Sequence, residues 1–208
     1  MINKIFSSWK LLVTIIIVVP LIAFTAVKLL EENYASLPVI NSIQDLNNKE
    51  YHFFNQNNEI KKFADWDNKI LVIDFFFTRC PSICPKMTKS LNKVAVEFKN
   101  SPGIHLLSFT VDPEHDSATK LLNYAEGMEL PQQHWDFLTG NKKIIYKVAR
   151  KQFFLTAIDG DGGPQDFIHS DRVVLVDPKH NIRGYYDGTN NKEVEQLIND
   201  IKKLQHEN

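Results

Sequence analysis

Both cysteines of this 208-residue chain lie in one short stretch, FFFTRCPSICPKM, at residues 75–87. A proline follows each of them and pushes Cys80 and Cys84 away from the α region, so CPSIC reads as a loop rather than a helical turn. Pro85 suits the first position of a following helix, where a missing N–H costs nothing. Cys84 then stands at or next to the helix start, where free N–H groups and the positive end of the helix dipole stabilise a thiolate. Arg79 adds a nearby positive charge. Three chemistries are open to such a pair. A structural bridge would close only a few residues, gain little loop entropy, and serve a domain large enough to need no staple. A dithiol redox couple fits the strand-to-helix placement, with one residue more between the thiols than in C-x-x-C. A metal site needs the sulfurs within roughly 4.6 Å, to share an ion at about 2.3 Å each, and it needs a third ligand.

Seven histidines can supply that third group. His52, His105, His115, His134, His180 and His206 fall in a hairpin, a strand, loops, a turn and the tail, where a solvated or hydrogen-bonded ring is the plain expectation. His169 differs. It closes the Gly-rich loop of GDGGPQDFIHSDRVVLVD, just before the strand from Arg172. An imidazole arriving there beside the cysteine loop completes a two-sulfur, one-nitrogen set. Cu(I) accepts such soft, low-coordinate ligation, and Cu(II) on S and N with an open position is also reasonable.

The elements that must bring these groups together can be read from periodicity. YHFFNQNNEIKKF (residues 51–63) predicts two strands around a polar turn. KILVIDFFF (residues 69–77) is a continuous apolar run, as in a central strand buried on both faces. Met87, Leu91, Val94, Ala95 and Phe98 form one stripe of an amphipathic helix. IHLLSFTV is the next strand, and Asp116 or Ser117 can cap a helix to about Gly127. WDFL is a short strand, and Asn141 caps a helix through about Lys151. RVVLVD and NIRGYYD pair around a Pro/Asn turn. Val194, Leu197, Ile198, Ile201 and Leu204 mark a last helix. This order predicts an α/β, thioredoxin-like domain at residues 46–208, with helices covering both faces of a mostly parallel sheet. The cysteine loop falls at the carboxyl edge of the central strand, where sites gather in open α/β sheets.

The remaining 45 residues carry a different signal. From Leu11 to Val27 about 17 residues pass without a charge, the lower end of a bilayer span, and Lys10 and Lys28 bracket the run. No small-x-small cleavage site follows it, which favours an anchor over a cleaved signal. Residues 1–10 are then cytoplasmic, 11–30 one transmembrane helix and 31–45 a tether. Lys4 and Lys10 on the leading side place the rest outside the cell's inner membrane, facing the periplasm or exterior, where disulfides persist. The net charge of −1 offers no bulk attraction to nucleic acid.

DFFFTRCPSICPKM, FTVDPEHDS, IHSDRVVLVDP and YYDG, in that order, resemble the Sco (SenC/PrrC) family of membrane-anchored copper proteins, over about residues 38–205. The resemblance implies a thioredoxin-like fold that binds one copper ion and delivers it to the copper-site subunit of cytochrome c oxidase during assembly. It implies Cys80, Cys84 and His169 as copper ligands, and the same two cysteines as a reversible, redox-active disulfide. Other periplasmic copper carriers or thiol reductants follow as further partners. In many members an Asp directly precedes that histidine. Here Ile168 stands there, and Asp166 and Asp171 flank it more distantly. Two other functions fit the same residues: a thiol-disulfide oxidoreductase acting on the cysteines of the oxidase site, and a redox or copper sensor.

Overall fold

A computed structural model describes residues 2–34, 36–44, 46, 48–155 and 171–207. They fall into two units, Met1–Leu37 and Pro38–His206. The first unit is α1 (Ile2–Tyr34), a 33-residue helix with Pro20 inside it. Its described side chains are largely apolar and outward-facing, Ile16 at 66% and Phe24 at 67% exposure. The Thr25 hydroxyl bonds back to the carbonyls of Leu21 and Ile22, which hides its polarity within the helix. Among the described residues no helix is long and apolar enough to cross a membrane.

The second unit is built on a six-stranded sheet. Its strands are β1 (Asn41–Ser42), β4 (Ile70–Phe76), β5 (Ile104–Thr110), β6 (Trp135–Leu138), β7 (Arg172–Val176) and β8 (Asn181–Asp187). A separate hairpin pairs β2 (Phe53–Phe54) with β3 (Ile60–Lys61), as the Asn/Gln turn predicts. The helices are α2 (Ile83–Glu97), α3 (Ala118–Gly127), α4 (Lys142–Lys147) and α5 (Asn191–Glu207). A five-residue π turn, Val148–Gln152, extends α4 over the span expected to be one helix.

The strand order is β1-β8-β7-β4-β5-β6. All seven residues of β4 are buried, as a run of Ile, Val and Phe with neighbours on both sides requires. The expectation of a mostly parallel sheet is corrected, however. Only the β4–β5 and β5–β6 pairs are parallel; β4–β7, β7–β8 and β1–β8 are antiparallel. The crossovers through α2 and α3 return the chain to the same end of the sheet and make parallel pairs. β7 instead enters at the end where β4 finishes, since Ile73 lies opposite Val174 and Leu71 opposite Val176. A tight turn then allows β8 only an antiparallel place. In that turn Asp177 Oδ1 accepts the N–H groups of Lys179 and Asn181, each at 2.9 Å.

Side-chain alternation splits the core into two layers. Leu71, Ile73, Phe75, Leu107, Phe109, Val174 and Val176 face a cluster with Phe53, Phe63, Trp66, Tyr146 and Phe153. The alternate residues face α2 and α3: the Phe76 ring lies 5.3 Å from that of Tyr124, and the Tyr124 hydroxyl meets Thr88 of α2 at 2.9 Å. Asp74 and Ser108 belong to this second layer, beneath the start of α2.

Candidate dithiol and metal site

β4 ends at Phe76 and hands the chain directly to the cysteine loop. Cys80 donates its backbone N–H to Phe77 at 3.2 Å and lies outside any helix. α2 begins at Ile83, so Cys84 and Pro85 are its second and third residues. The loop reading therefore holds for Cys80 but not for Cys84, which is helical. The reason is that the third N–H of a helix has no partner inside the helix, so a proline is accepted there as it is at the first position.

This start of the helix brings the two sulfurs together. The backbone N–H of Cys84 donates to Cys80 Sγ at 3.3 Å. Both are free thiols, Cys84 buried and Cys80 half-buried. Burial by itself raises the pKa of Cys80, but hydrogen bonds from the Cys84 thiol and from the N–H groups of Cys84, Ser82 and Ile83 outweigh it. They hold its pKa below that of an ordinary thiol. Cys84 goes the other way. Burial, donation of its proton to Cys80 and the negative charges of Cys80 and Asp74 push it up to about 12. The result is one sulfur prepared as a thiolate and one kept as a thiol.

Two carboxylates organise the surroundings. Asp74, the single charged residue of β4, is 1% exposed. It accepts the Ser108 hydroxyl, which in turn accepts the Trp135 indole N–H at 2.9 Å. Burial raises the pKa of Asp74 to about 7, against the lowering effect of the Ser108 bond. On the other flank Asp116 is fully buried and holds Thr78, two residues before Cys80. It accepts the Thr78 backbone N–H at 3.0 Å and the Thr78 hydroxyl at 2.5 Å. The Thr110 hydroxyl joins at 2.6 Å. Outside them Arg79 pairs with Asp112 at 2.7 Å.

Of the residues proposed for a site, Cys80 and Cys84 are thus brought together, whereas His169 lies outside the described residues. Among the described residues no group of three or more His, Cys, Asp or Glu is arranged to hold a metal ion. Several other histidines have ordinary partners: His105 pairs with Asp136 at 2.8 Å and His180 with Asp67 at 3.3 Å. Sequence reasoning passed over Asp74 and the Thr78–Asp116 pairing. A lone acid inside KILVIDFFF was the available signal for the first. The second had none, because the cap role foreseen for Asp116 or Ser117 belongs to Ser117.

A dithiol of unequal acidity, carried on a strand-to-helix loop at the edge of a mixed sheet, defines a thioredoxin-like protein. More narrowly, the chain belongs to the SCO1/SenC family, whose model matches residues 41–206. It is 28% identical over 153 residues to the SCO1 protein homolog of Bacillus subtilis, covering 73% of this chain and 79% of that one. It is similar in structure to BsSco, a member of the Sco family of cytochrome c oxidase assembly proteins in which a disulfide switch has been identified. The match has a TM-score of 0.68 at 27% identity and covers 82% of this chain and 97% of the other. It also shares its fold with yeast Sco1 with copper bound, at a TM-score of 0.57 and 21% identity, over 79% of this chain and 90% of that one.

Proposed function

We propose that this chain is a membrane-anchored copper-binding protein that delivers copper to the binuclear copper site of cytochrome c oxidase during assembly. The observation that carries the reading is the convergence of two unequal thiols: Cys80 Sγ accepts the Cys84 backbone N–H at 3.3 Å and the Cys84 thiol as well. Copper is the cargo. Cys80 and Cys84 would hold it as thiolates, a soft donor pair suited to Cu(I), with His169 as the third ligand. The register of β7 supports that assignment. Val174 lies opposite Ile73, so Arg172 enters the sheet level with the last residues of β4. His169 is three residues before it, a reach of about 10 Å. The relation to an oxidase assembly protein at 27% identity supports the recipient. Helix α1, with apolar side chains facing outward, supports an anchor.

A second reading is favoured by the difference in acidity between the two thiols. As a reductase, the Cys80 thiolate attacks a disulfide of the recipient, forms a mixed disulfide and releases one partner thiol. Cys84 gives up its proton and attacks Cys80 Sγ, which closes the Cys80–Cys84 disulfide and releases the second partner thiol. Two electrons pass to the recipient, and no copper is involved.

His169→Ala separates the readings in the purified full-length chain. The expected result is loss of bound copper with both thiols still titratable. Copper retained at the wild-type level overturns the ligand set. In cells, oxidase assembly that survives His169→Ala but fails with Cys80→Ser overturns delivery in favour of the reductase.

A further inference from the structure

Asp116 does more than its place after a strand requires. It is fully buried, yet it does not cap α3; that task falls to Ser117, whose side chain accepts from Lys120. Its two carboxylate oxygens instead take three donors, and two of them belong to Thr78: the backbone N–H at 3.0 Å and the hydroxyl at 2.5 Å. The third, Thr110 Oγ1 at 2.6 Å, also accepts the Asp112 N–H at 3.0 Å. Asp112 in turn accepts Arg79 at 2.7 Å and offers its carbonyl to the Asp116 N–H at 2.8 Å. The two residues before Cys80 are therefore both tied to the turn that follows β5. Pro81, Ser82 and Ile83, by contrast, are exposed. The loop has one fixed end before Cys80 and one at the body of α2.

We propose that Asp116 is a positioning residue of the dithiol: by clamping Thr78 it fixes where Cys80 Sγ stands relative to Cys84, and so sets how readily the pair closes into a disulfide or converges on a soft metal ion. The proposal rests on the reading of Cys80 and Cys84 as a working pair. It assigns no chemistry to Asp116 itself. Pre-organisation of this kind acts by removing the conformational cost of bringing two groups together. Loss of the clamp lets the Thr78–Cys80 segment sample other positions, and both closure and metal capture weaken together.

The test uses the full-length chain and reads the dithiol–disulfide equilibrium in glutathione buffers, with folding followed by circular dichroism. Asp116→Ala is expected to lower the equilibrium constant for disulfide formation about tenfold, as the effective concentration of one thiol at the other falls. Asp116→Asn keeps an acceptor for the Thr78 N–H and recovers most of that loss. Asp200→Asn serves as a control, a buried carboxylate on α5 that accepts the Tyr186 hydroxyl. It is expected to lower stability and leave the equilibrium constant within about twofold. Should Asp116→Ala fail to fold, Thr78→Val removes only the hydroxyl arm and is expected to shift the constant about threefold in the same direction. A folded Asp116→Ala or Thr78→Val chain with the wild-type constant overturns the proposal, as does an equal shift from Asp200→Asn. Cu(I) competition on the same samples keeps the two readings apart. A wild-type chain that binds no Cu(I) sinks the copper function while the glutathione result still decides the role of Asp116.

Discussion

The backbone N–H of Cys84 points at the sulfur of Cys80 from 3.3 Å, and that contact is one of several that make two identical side chains chemically unequal. Hydrogen bonds at the start of α2 hold the Cys80 thiol below its ordinary pKa against the effect of burial, while burial first and the Cys80 interaction second raise Cys84. Reactivity follows the thiolate. In single-cysteine variants at neutral pH, Cys80 (in Cys84→Ser) is expected to react with iodoacetamide at least about tenfold faster than Cys84 (in Cys80→Ser). Mass spectrometry of the alkylated chains reads the rates. Faster labelling of Cys84 would reverse the assignment of attacking and resolving sulfur.

Asp74 makes a separate prediction about pH. Burial lifts its carboxyl to about 7 in the fold from an ordinary value of 3.8. Between those values the folded chain binds the proton and the unfolded chain does not, so stability falls as pH rises through that window. The penalty, complete above the folded pKa, amounts to about 4 kcal/mol. Asp74→Asn retains an acceptor for Ser108 and carries no charge. Its urea midpoint is expected to exceed wild type at pH 8 and to match it near pH 4. Equal midpoints at pH 8 would show that the buried carboxyl is not the source of the effect.

At the opposite end of the sheet, Asp136 gathers three side-chain donors. It accepts His105 at 2.8 Å, Trp66 at 3.0 Å and Asn55 at 3.1 Å. Burial raises its pKa, and these bonds together bring it below the ordinary value. A lowered carboxylate adds stability that is present above the unfolded-state pKa and lost as pH falls through the folded one. Asp136→Ala leaves the buried donors of His105 and Trp66 without an acceptor and Asn55 with Glu59 alone, and is expected to cost about 2–4 kcal/mol in urea unfolding at pH 7. The dithiol equilibrium is expected to stay unchanged. A shift in it would mean that the two ends of the sheet are coupled.

Much of this was legible because the signals were local. KILVIDFFF announced a strand buried on both faces, and the stripe from Met87 to Phe98 announced the helix that covers it. The 3.6 and 2.0 periods need no knowledge of the partner surface. Strand direction is another matter. Nothing within RVVLVD says that it will run against β4, because that depends on which end of the sheet the preceding connection reaches. The start of α2 at Ile83 was hidden for a related reason: the two prolines were weighed as local restraints, while a helix also tolerates proline anywhere its N–H groups lack partners. Asp116 was hidden more deeply, since its partner Thr78 is 38 residues away in sequence and only the parallel β4–β5 pairing brings the two strand ends level. His169 lies outside the described residues, and its role stays with the proposal.

Helix α2 also leans on a glycine that periodicity does not single out. Gly188 follows β8, and its N–H donates to the Asp171 carbonyl at 2.8 Å, which ties the end of β8 to the start of β7. A Cβ at Gly188 would stand 2.6 Å from Met87 Cγ and 2.9 Å from Val173 Cγ2. Met87 is fully buried one turn after Cys84, so it yields only by leaving its rotamer or by moving α2 off the sheet. Gly188→Ala is therefore expected to destabilise the chain by about 1–3 kcal/mol, as overpacking of a filled core does. Met87→Ala by itself opens a cavity and costs about 2–5 kcal/mol. In the double variant the new methyl group enters the space that Met87 vacates, so the combined loss is expected to fall short of the sum by at least about 1 kcal/mol. Urea denaturation of the four chains gives that coupling directly. Strict additivity would mean that α2 does not rest on Gly188, and that the position of Cys84 is set by the loop alone.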